Sequence, residues 1–209
     1  MPPKAKFRKE TIVSAALDVA REKGIEAVTA REVARALRVS VGPIFTWFST
    51  MEELKAEVSL RAREVYRAYI QRGLSGPIPF LGVGQQYLCF AKEEPELYKL
   101  LFLTRPEAGG GGAMEALRFS QELARESIMR IYHMDSETAD RYFRDLWLVA
   151  FSFATLIVTD GCPYTDEEMS AVFTEISLSV CKAYKEIPGL PEGRFDRDAI
   201  FRKLVAEGV

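Results

Sequence analysis

The chain has 209 residues, of which 48% are hydrophobic and 28% charged, and its formal net charge is -2 at pH 7. This composition is that of a globular protein and excludes an intrinsically disordered chain. The length allows a small domain of about 50 residues beside a larger one, or one large domain. The longest nearly uncharged run, Leu146 to Val158, is shorter than the ~18–20 apolar residues that span a bilayer. We expect no membrane partner and, because the amino terminus lacks the apolar stretch of a secretory signal, a cytoplasmic location.

Metal binding and nucleophilic catalysis have little support in the sequence. Cys89, Cys162 and Cys181 are far apart, without a Cys-x-x-Cys spacing, and His133 is the only histidine. A structural zinc site needs about four such ligands. A Ser-His or Cys-His pair would depend on His133, which lies in a predicted helix without a catalytic signature. We therefore predict that the protein is not an enzyme and that it uses no metal and no other cofactor.

Charge is distributed unevenly along the chain. Residues 1–50 carry nine Lys and Arg against five Asp and Glu, a net charge of +4, which leaves -6 for the rest. A basic amino-terminal part on an acidic body is expected where one end of a protein binds a polyanion. A few solvated lysines would give the same net charge of +4. The uneven charge distribution therefore supports DNA binding only if a DNA-binding motif is also present.

Helices are predicted along almost the whole chain. In residues 7–23 the apolar side chains form one stripe, and Gly24 follows as a helix terminator. Thr29 to Glu32 has the sequence of a capping box, in which Thr29 caps a short second helix and Glu32 reaches back to it.

A third short helix is predicted after residues 38–40. Ser40 is placed to cap it, and Pro43 falls in its first turn, where a missing N–H costs little. A three-residue link between two short helices is the spacing of a helix-turn-helix, whose second helix enters the DNA major groove. The capping box at residues 50–53 then predicts the start of a fourth helix.

The third helix divides into two sides when 100° is allowed for each residue. Ile44 and Phe48 are predicted to pack inward, and Val41 and Phe45 fall on the same side. The opposite side is small and uncharged and consists of Gly42, Pro43 and Thr46. Such a face lets the helix backbone approach a flat or grooved partner, with Phe45 and Trp47 at its borders.

These landmarks resemble the amino-terminal domain of TetR-family transcriptional regulators over about residues 7–58. The matching positions are Gly24, Thr29, Val33-Ala34, Val39-Ser40, Gly42, Phe45, Trp47-Phe48 and Glu53-Leu54. The resemblance implies an all-α fold. Residues 1–50 would form a three-helix DNA-binding domain with a helix-turn-helix, together with the start of the fourth helix. Residues 51–209 would form a larger helical domain for ligand binding and dimerisation, to which the later segments have a looser resemblance.

From this resemblance we expect the following residues to form the DNA interface: Thr29, Arg31, Arg38, Ser40, Val41, Gly42, Pro43, Phe45, Thr46 and Trp47. Val41, Gly42 and Thr46 would face base edges, where a Val methyl meets a thymine methyl and a Thr hydroxyl reaches a base or phosphate. Phe45 and Trp47 occupy positions of phosphate-binding Tyr or His. Phe45 has no hydroxyl, whereas the Trp47 indole N–H can still donate.

Two positions depart from the family pattern. Arg38 replaces a turn glycine that usually has a left-handed backbone, at a cost of about 1 kcal/mol if the geometry is kept. Met51 replaces a lysine that commonly contacts phosphate. The basic residues Lys4, Lys6, Arg8 and Lys9 would form an arm near the DNA, although a plain solvated tail explains the first five residues equally well.

The larger predicted domain is rich in aromatic side chains. Such rings commonly line apolar pockets between helices, and more often simply form the core. Ligand contacts are expected mainly from the central helices, at Phe90, Phe102, Trp147 and Phe151. The glycines at 109–112 and at 82–84 have no preceding strand and no Gly-Lys-Ser/Thr, so they predict no phosphate site.

Two long helices are predicted near the carboxyl terminus, about Glu137 to Thr159 and Asp166 to Lys185. The first is apolar nearly all round, which suggests a partner subunit as well as a core. The resemblance implies a homodimer through these two helices. It also implies a repressor released from a palindromic double-stranded operator by a small apolar or aromatic effector. The alternative is a helical ligand-binding or interaction protein whose helix-turn-helix does not read DNA.

Overall fold

The computed structural model describes residues 8–76, 79–104 and 112–207, and all regular elements in these ranges are helical. The α-helices are α1 (Lys9–Lys23), α2 (Ala30–Leu37), α3 (Gly42–Phe45), α4 (Met51–Leu74), α5 (Pro79–Glu93), α6 (Pro95–Tyr98), α7 (Ala113–Tyr132), α8 (Ser136–Val158), α9 (Asp166–Glu186) and α10 (Arg197–Glu207). A 3-10 turn at Ile25–Ala27 precedes α2, and a π-helical turn at Lys99–Leu103 follows α6. The predicted all-α fold is confirmed. In the ranges described, no helix has both the length and the apolar character needed to cross a bilayer.

Some predicted features lie outside the described residues. They are Lys4 and Lys6 of the basic arm and most of the glycine run, Gly109 to Gly111. The glycines at 82–84, in contrast, lie within α5.

The cap of α2 forms as predicted on one side only. The Thr29 hydroxyl accepts a hydrogen bond from the Glu32 backbone N–H at 3.3 Å. The Glu32 carboxylate does not reach back to Thr29, because Lys23 Nζ binds it at 2.9 Å and Arg35 contacts it as well. The hydrogen bond from Lys23 holds the pKa of Glu32 below its usual value.

The predicted cap of α3 is wrong. Val41, not Ser40, precedes the helix, and no side chain caps it. The physical reason is that Val41 already has helical backbone angles, φ -70° and ψ -18°, whereas a capping residue needs an extended backbone. At α4 the predicted start is found, with the Thr50 hydroxyl accepting from the Glu53 N–H at 3.2 Å, but the Glu53 carboxylate accepts from the Ser49 N–H instead of reaching back to Thr50.

Helix α4 connects the amino-terminal helices with the rest of the protein. Leu54 and Val58, in its first half, are fully buried where α4 packs on α1. In its second half, Tyr66 is buried, and its hydroxyl lies 2.7 Å from Ser120 Oγ of α7. One continuous helix of 24 residues therefore belongs to both packing regions.

Helices α4 and α5 approach each other closely at two glycines. A Cβ atom built on Gly73 of α4 would lie 2.6 Å from the carbonyl carbon and oxygen of Gly82 and from the Val83 backbone nitrogen. A Cβ on Gly82 would collide in turn with the backbone of Gly73. No side-chain rotation relieves a clash with backbone, so α4 and α5 can lie this close only because both positions lack a side chain.

We predict that Gly73→Ala and Gly82→Ala each destabilise the protein by about 1–3 kcal/mol, because the added methyl group forces the two backbones apart. Urea unfolding followed by circular dichroism measures the change. Gly161→Ala is the matched control, since its Cβ would meet its nearest neighbour at an ordinary 3.7 Å. An unchanged midpoint in both core variants would contradict this account of the α4–α5 contact.

Candidate nucleic-acid interface

The turn between α2 and α3 has the backbone that the sequence predicted. Arg38 is left-handed, with φ 56° and ψ 45°, and it ends α2. The following Val39 N–H donates to the Ala34 carbonyl at 2.9 Å, which closes the end of the helix. A glycine would adopt this conformation without a Cβ clash. Arg38 keeps it and places a cation at the turn.

Two buried side chains anchor α3. Ile44 is fully buried and Phe48 is 3% exposed, as predicted, and Lys9 Nζ lies 5.4 Å from the centre of the Phe48 ring. Val41 and Phe45 do not share this inward side, since they are 39% and 49% exposed. The helical wheel fails for them because α3 has only four residues, so the 100° spacing does not extend over the whole segment.

The outer face of α3 has small side chains at Gly42, Pro43 and Thr46, and one of them carries a hydroxyl group that can form hydrogen bonds. Gly42 and Thr46 are exposed, Pro43 is half-buried, and Trp47 is 44% exposed. The Thr46 hydroxyl donates to the Gly42 carbonyl at 3.2 Å. This leaves its oxygen free to accept a hydrogen bond from the amino group of an adenine or cytosine.

Two arginines beside this face are available to bind phosphate. Arg31 and Arg38 are exposed, and neither forms an ion pair with another described residue. Arg35, in contrast, is held by Glu32. Thr29 and Ser40 are also exposed. Of the predicted basic arm, Lys9 is turned towards α4, where it pairs with Glu57.

The comparisons with known proteins agree with this geometry. Residues 12–58, which cover α1 to α3 and the start of α4, match the family model described as bacterial regulatory proteins, tetR family. The amino-terminal part of the chain is therefore similar to that of TetR-family regulators. No curated protein matches it in sequence.

Solved structures share the fold of this chain at low sequence identity. A transcriptional regulator from Rhodococcus sp. Rha1 is 17% identical, with a TM-score of 0.57, and the match covers 85% of this chain and 97% of that one. A TetR variant from Acinetobacter baumannii AYE in complex with minocycline is also 17% identical. Its TM-score is 0.54, with coverage of 86% and 97%.

The family of the matching model has a known general role. Proteins of this family are DNA-binding transcriptional regulators rather than enzymes. They bind DNA operators and small-molecule ligands, and they form dimers. Which residues of this chain carry these roles stays a prediction.

The four rings predicted to line a ligand pocket occupy the core of the larger part of the protein. Phe90, Phe102 and Trp147 are at most 5% exposed, and Phe151 is half-buried. Phe102 stacks on Tyr98 with ring centres 4.7 Å apart, and Trp147 stacks on Phe151 at 5.0 Å. The rings therefore contact one another rather than an open pocket.

A small cavity lies beside Trp147. Its volume is about 20 Å³, and of the four predicted rings only Trp147 borders it, together with Tyr66, Tyr87 and Phe143 among others. This volume suits about one water molecule and no larger ligand. The Trp147 indole N–H is buried and has no hydrogen-bond acceptor among the described residues. Sequence reasoning did not identify this open donor, because only the packing of the core reveals which side chains lack a partner.

Proposed function

We propose that the protein is a repressor that binds a palindromic DNA operator as a homodimer and leaves it when a small apolar or aromatic effector binds. The observation that carries the DNA-binding part is the surface of α3. Its buried anchors, Ile44 and Phe48, fix a short helix whose exposed side is small. Beside it lie two arginines that form no ion pair with another described residue. Small side chains allow the backbone to approach base edges, and arginines bind phosphates.

DNA contacts are assigned by chemistry. Val41, Gly42 and Thr46 meet base edges, and Trp47 donates its indole N–H to a phosphate. Arg31 and Arg38 bind phosphates on either side of the reading helix, and the exposed amino terminus of α2 at Thr29 adds backbone donors. Phe45 lacks a hydroxyl, so its exposed ring packs against the sugar-phosphate backbone.

Dimerisation uses α8 and α9. On α8, Leu148 and Leu156 are 50% and 36% exposed, two helical turns apart, and on α9 Leu178 is 65% exposed. An apolar stripe on the neighbouring helices α8 and α9 is buried when the same two helices of a second copy pack against it and form a four-helix bundle. The twofold symmetry of such a dimer requires a palindromic site with half-sites about one helical turn, or a little more, apart.

The effector enters the aromatic core beside Trp147. Its unpaired indole N–H supplies one directional contact, and the surrounding rings supply apolar area. One solved structure of the same fold holds minocycline, which supports a ligand site in this fold. Because the cavity is only about 20 Å³, effector binding must separate rings that now touch. That movement reaches α4 through Tyr66, and it favours an orientation of the DNA-binding helices that fits the operator less well.

We predict that Thr46→Glu and Arg31→Glu each weaken operator binding by at least about tenfold, because they place a carboxylate against bases or phosphates. The operator is obtained by sequencing the genomic DNA that the purified protein retains, and affinity is measured by fluorescence anisotropy at several salt concentrations. Arg118→Glu on α7 makes the same charge change as Arg31→Glu at an exposed site outside α1 to α3. This control variant should bind the operator like wild type. Undiminished binding by both interface variants would favour a helical protein that does not read DNA.

Leu178→Asp should shift the protein from dimer to monomer, because two buried carboxylates would face each other across the twofold axis. Sedimentation equilibrium measures the change, with an expected loss of at least about tenfold in dimer affinity. Met114→Asp is the control, since Met114 on α7 is also 65% exposed. A Leu178→Asp protein that remains dimeric would remove α9 from the interface.

The two tryptophans allow the effector site to be tested. In the Trp47→Phe variant, Trp147 is the only tryptophan left in the sequence, so tryptophan emission comes from it alone. A compound that releases the operator is expected to change Trp147 emission over the same concentration range. In Trp147→Phe, the remaining Trp47 should report operator binding and not the effector. A compound that releases the operator without changing Trp147 emission would place the effector site elsewhere.

A further inference from the structure

A groove of about 510 Å³ lies between α1, α4 and α7. Its apolar floor is formed by Val13 of α1, Leu60 of α4 and Phe119 of α7. Leu60 is 55% exposed, an unusual state for a large aliphatic side chain beside a ring. The volume is that of a site for a small organic molecule.

The charged side chains around this floor are not all paired. Lys9 pairs with Glu57, and Arg63 pairs with Glu115, which lies outside the groove lining. Arg61 is exposed and forms no ion pair with another described residue. These pairings leave one α4 guanidinium without an acceptor.

Arg67 is the second cation with unused donors. Its guanidinium carbon lies 4.7 Å from the centre of the Phe119 ring, so the ring holds the side chain in place. Its Nε forms an ion pair with a Glu64 oxygen at 3.2 Å, but this nitrogen makes no hydrogen bond with any described residue. The side chain is 36% exposed, so its terminal nitrogens can meet a ligand.

The acidic side chains of the groove restrict how a ligand can lie. Glu57 forms an ion pair with Lys9, and Glu64 forms one with Arg67. Glu10 of α1 is exposed and forms no ion pair with another described residue. An anion is therefore repelled from the end at Glu10 and attracted to α4 at Arg61 and Arg67. An apolar tail then covers Leu60 and Val13.

We propose that this groove is a binding site for a small amphipathic organic anion, with its carboxylate at Arg67 and its apolar part on Leu60, Val13 and Phe119. A planar guanidinium that is held in place by a ring can donate two parallel hydrogen bonds to a ligand carboxylate in addition to its ion pair with Glu64. The site is separate from the effector site beside Trp147 and does not depend on DNA binding. It joins α1 and α4 to α7, so its occupant contacts both packing regions of α4.

The test uses decanoate below its micelle-forming concentration, with decyltrimethylammonium as the charge-reversed probe, and measures binding to the full chain by isothermal titration calorimetry. Decanoate is expected to bind once per chain, and the cation is expected not to bind. Arg67→Gln should weaken decanoate binding at least about tenfold, because the charged donor pair is lost. Arg118→Gln on α7 does not line the groove and should bind like wild type.

Two further measurements locate the ligand. Leu60→Glu introduces a carboxylate on the exposed floor and should also weaken binding at least about tenfold, independently of how Arg67→Gln folds. In Trp47→Phe, decanoate should leave Trp147 emission unchanged. Equal affinity in wild type and both groove variants, equal binding of the cation, or Trp147 emission that follows decanoate binding would each overturn the proposal. The last result would place the anion in the aromatic core.

Discussion

The backbone contact between Gly73 of α4 and Gly82 of α5 fixes the position of the helix on which both halves of the protein depend. With no side chain at either residue, the two helices lie closer together than helices separated by side chains. Tyr66 and Tyr69, which precede Gly73 on α4, are thereby brought against Phe90 of α5, with ring centres 5.2 Å and 5.3 Å apart. The same helix buries Leu54 and Val58 against α1. The orientation of α3 relative to the core is thus set by a contact that lies near the other end of α4.

The aromatic core combines tight packing with polar groups that stay neutral. Burial raises the pKa of Tyr66, Tyr87 and Tyr98 above the usual value, so these phenols keep their protons. Tyr66 hydrogen-bonds Ser120, and the hydroxyls of Tyr87 and Tyr98 lie 3.2 Å apart. These pairs satisfy polar groups inside a core that is otherwise apolar. The Trp147 indole N–H has no acceptor among the described residues, and it marks a part of the core where a polar atom of a ligand would be stabilised.

The sequence predicts those structural features that are determined by residues close together in the chain. The caps at Thr29 and Thr50, the left-handed Arg38 and the buried Ile44 and Phe48 all follow from neighbouring residues, and all were predictable. The predicted cap at Ser40 failed because the next residue, Val41, already has helical backbone angles. The inward side of Phe45 failed because four residues are too few for helical periodicity to hold. The family pattern supplied the assignment of DNA contacts, which neither spacing nor charge alone could give.

Features that join distant segments could not be read from the sequence. The Gly73–Gly82 contact needs two residues on different helices, and the glycine-rich stretch at 82–84 looks like a loop when read alone. The groove at Arg67 and Phe119 brings together three helices. Likewise, aromatic residues predicted as pocket lining proved to pack on one another, because composition gives the number of rings and not the space between them.

The length of α4 has a mechanical consequence. Sixteen residues separate Thr50, next to the reading helix, from Tyr66 in the core, which is about 24 Å of helix. A rigid rod of this length that tilts by about 5° at Tyr66 moves its far end by about 2 Å. Hydrogen bonds to base edges tolerate only a few tenths of an ångström. A small displacement of the Tyr66 ring, which would leave the core intact, would therefore move the amino-terminal end of α4 much further. Hydrogen bonds to base edges would not tolerate that larger displacement.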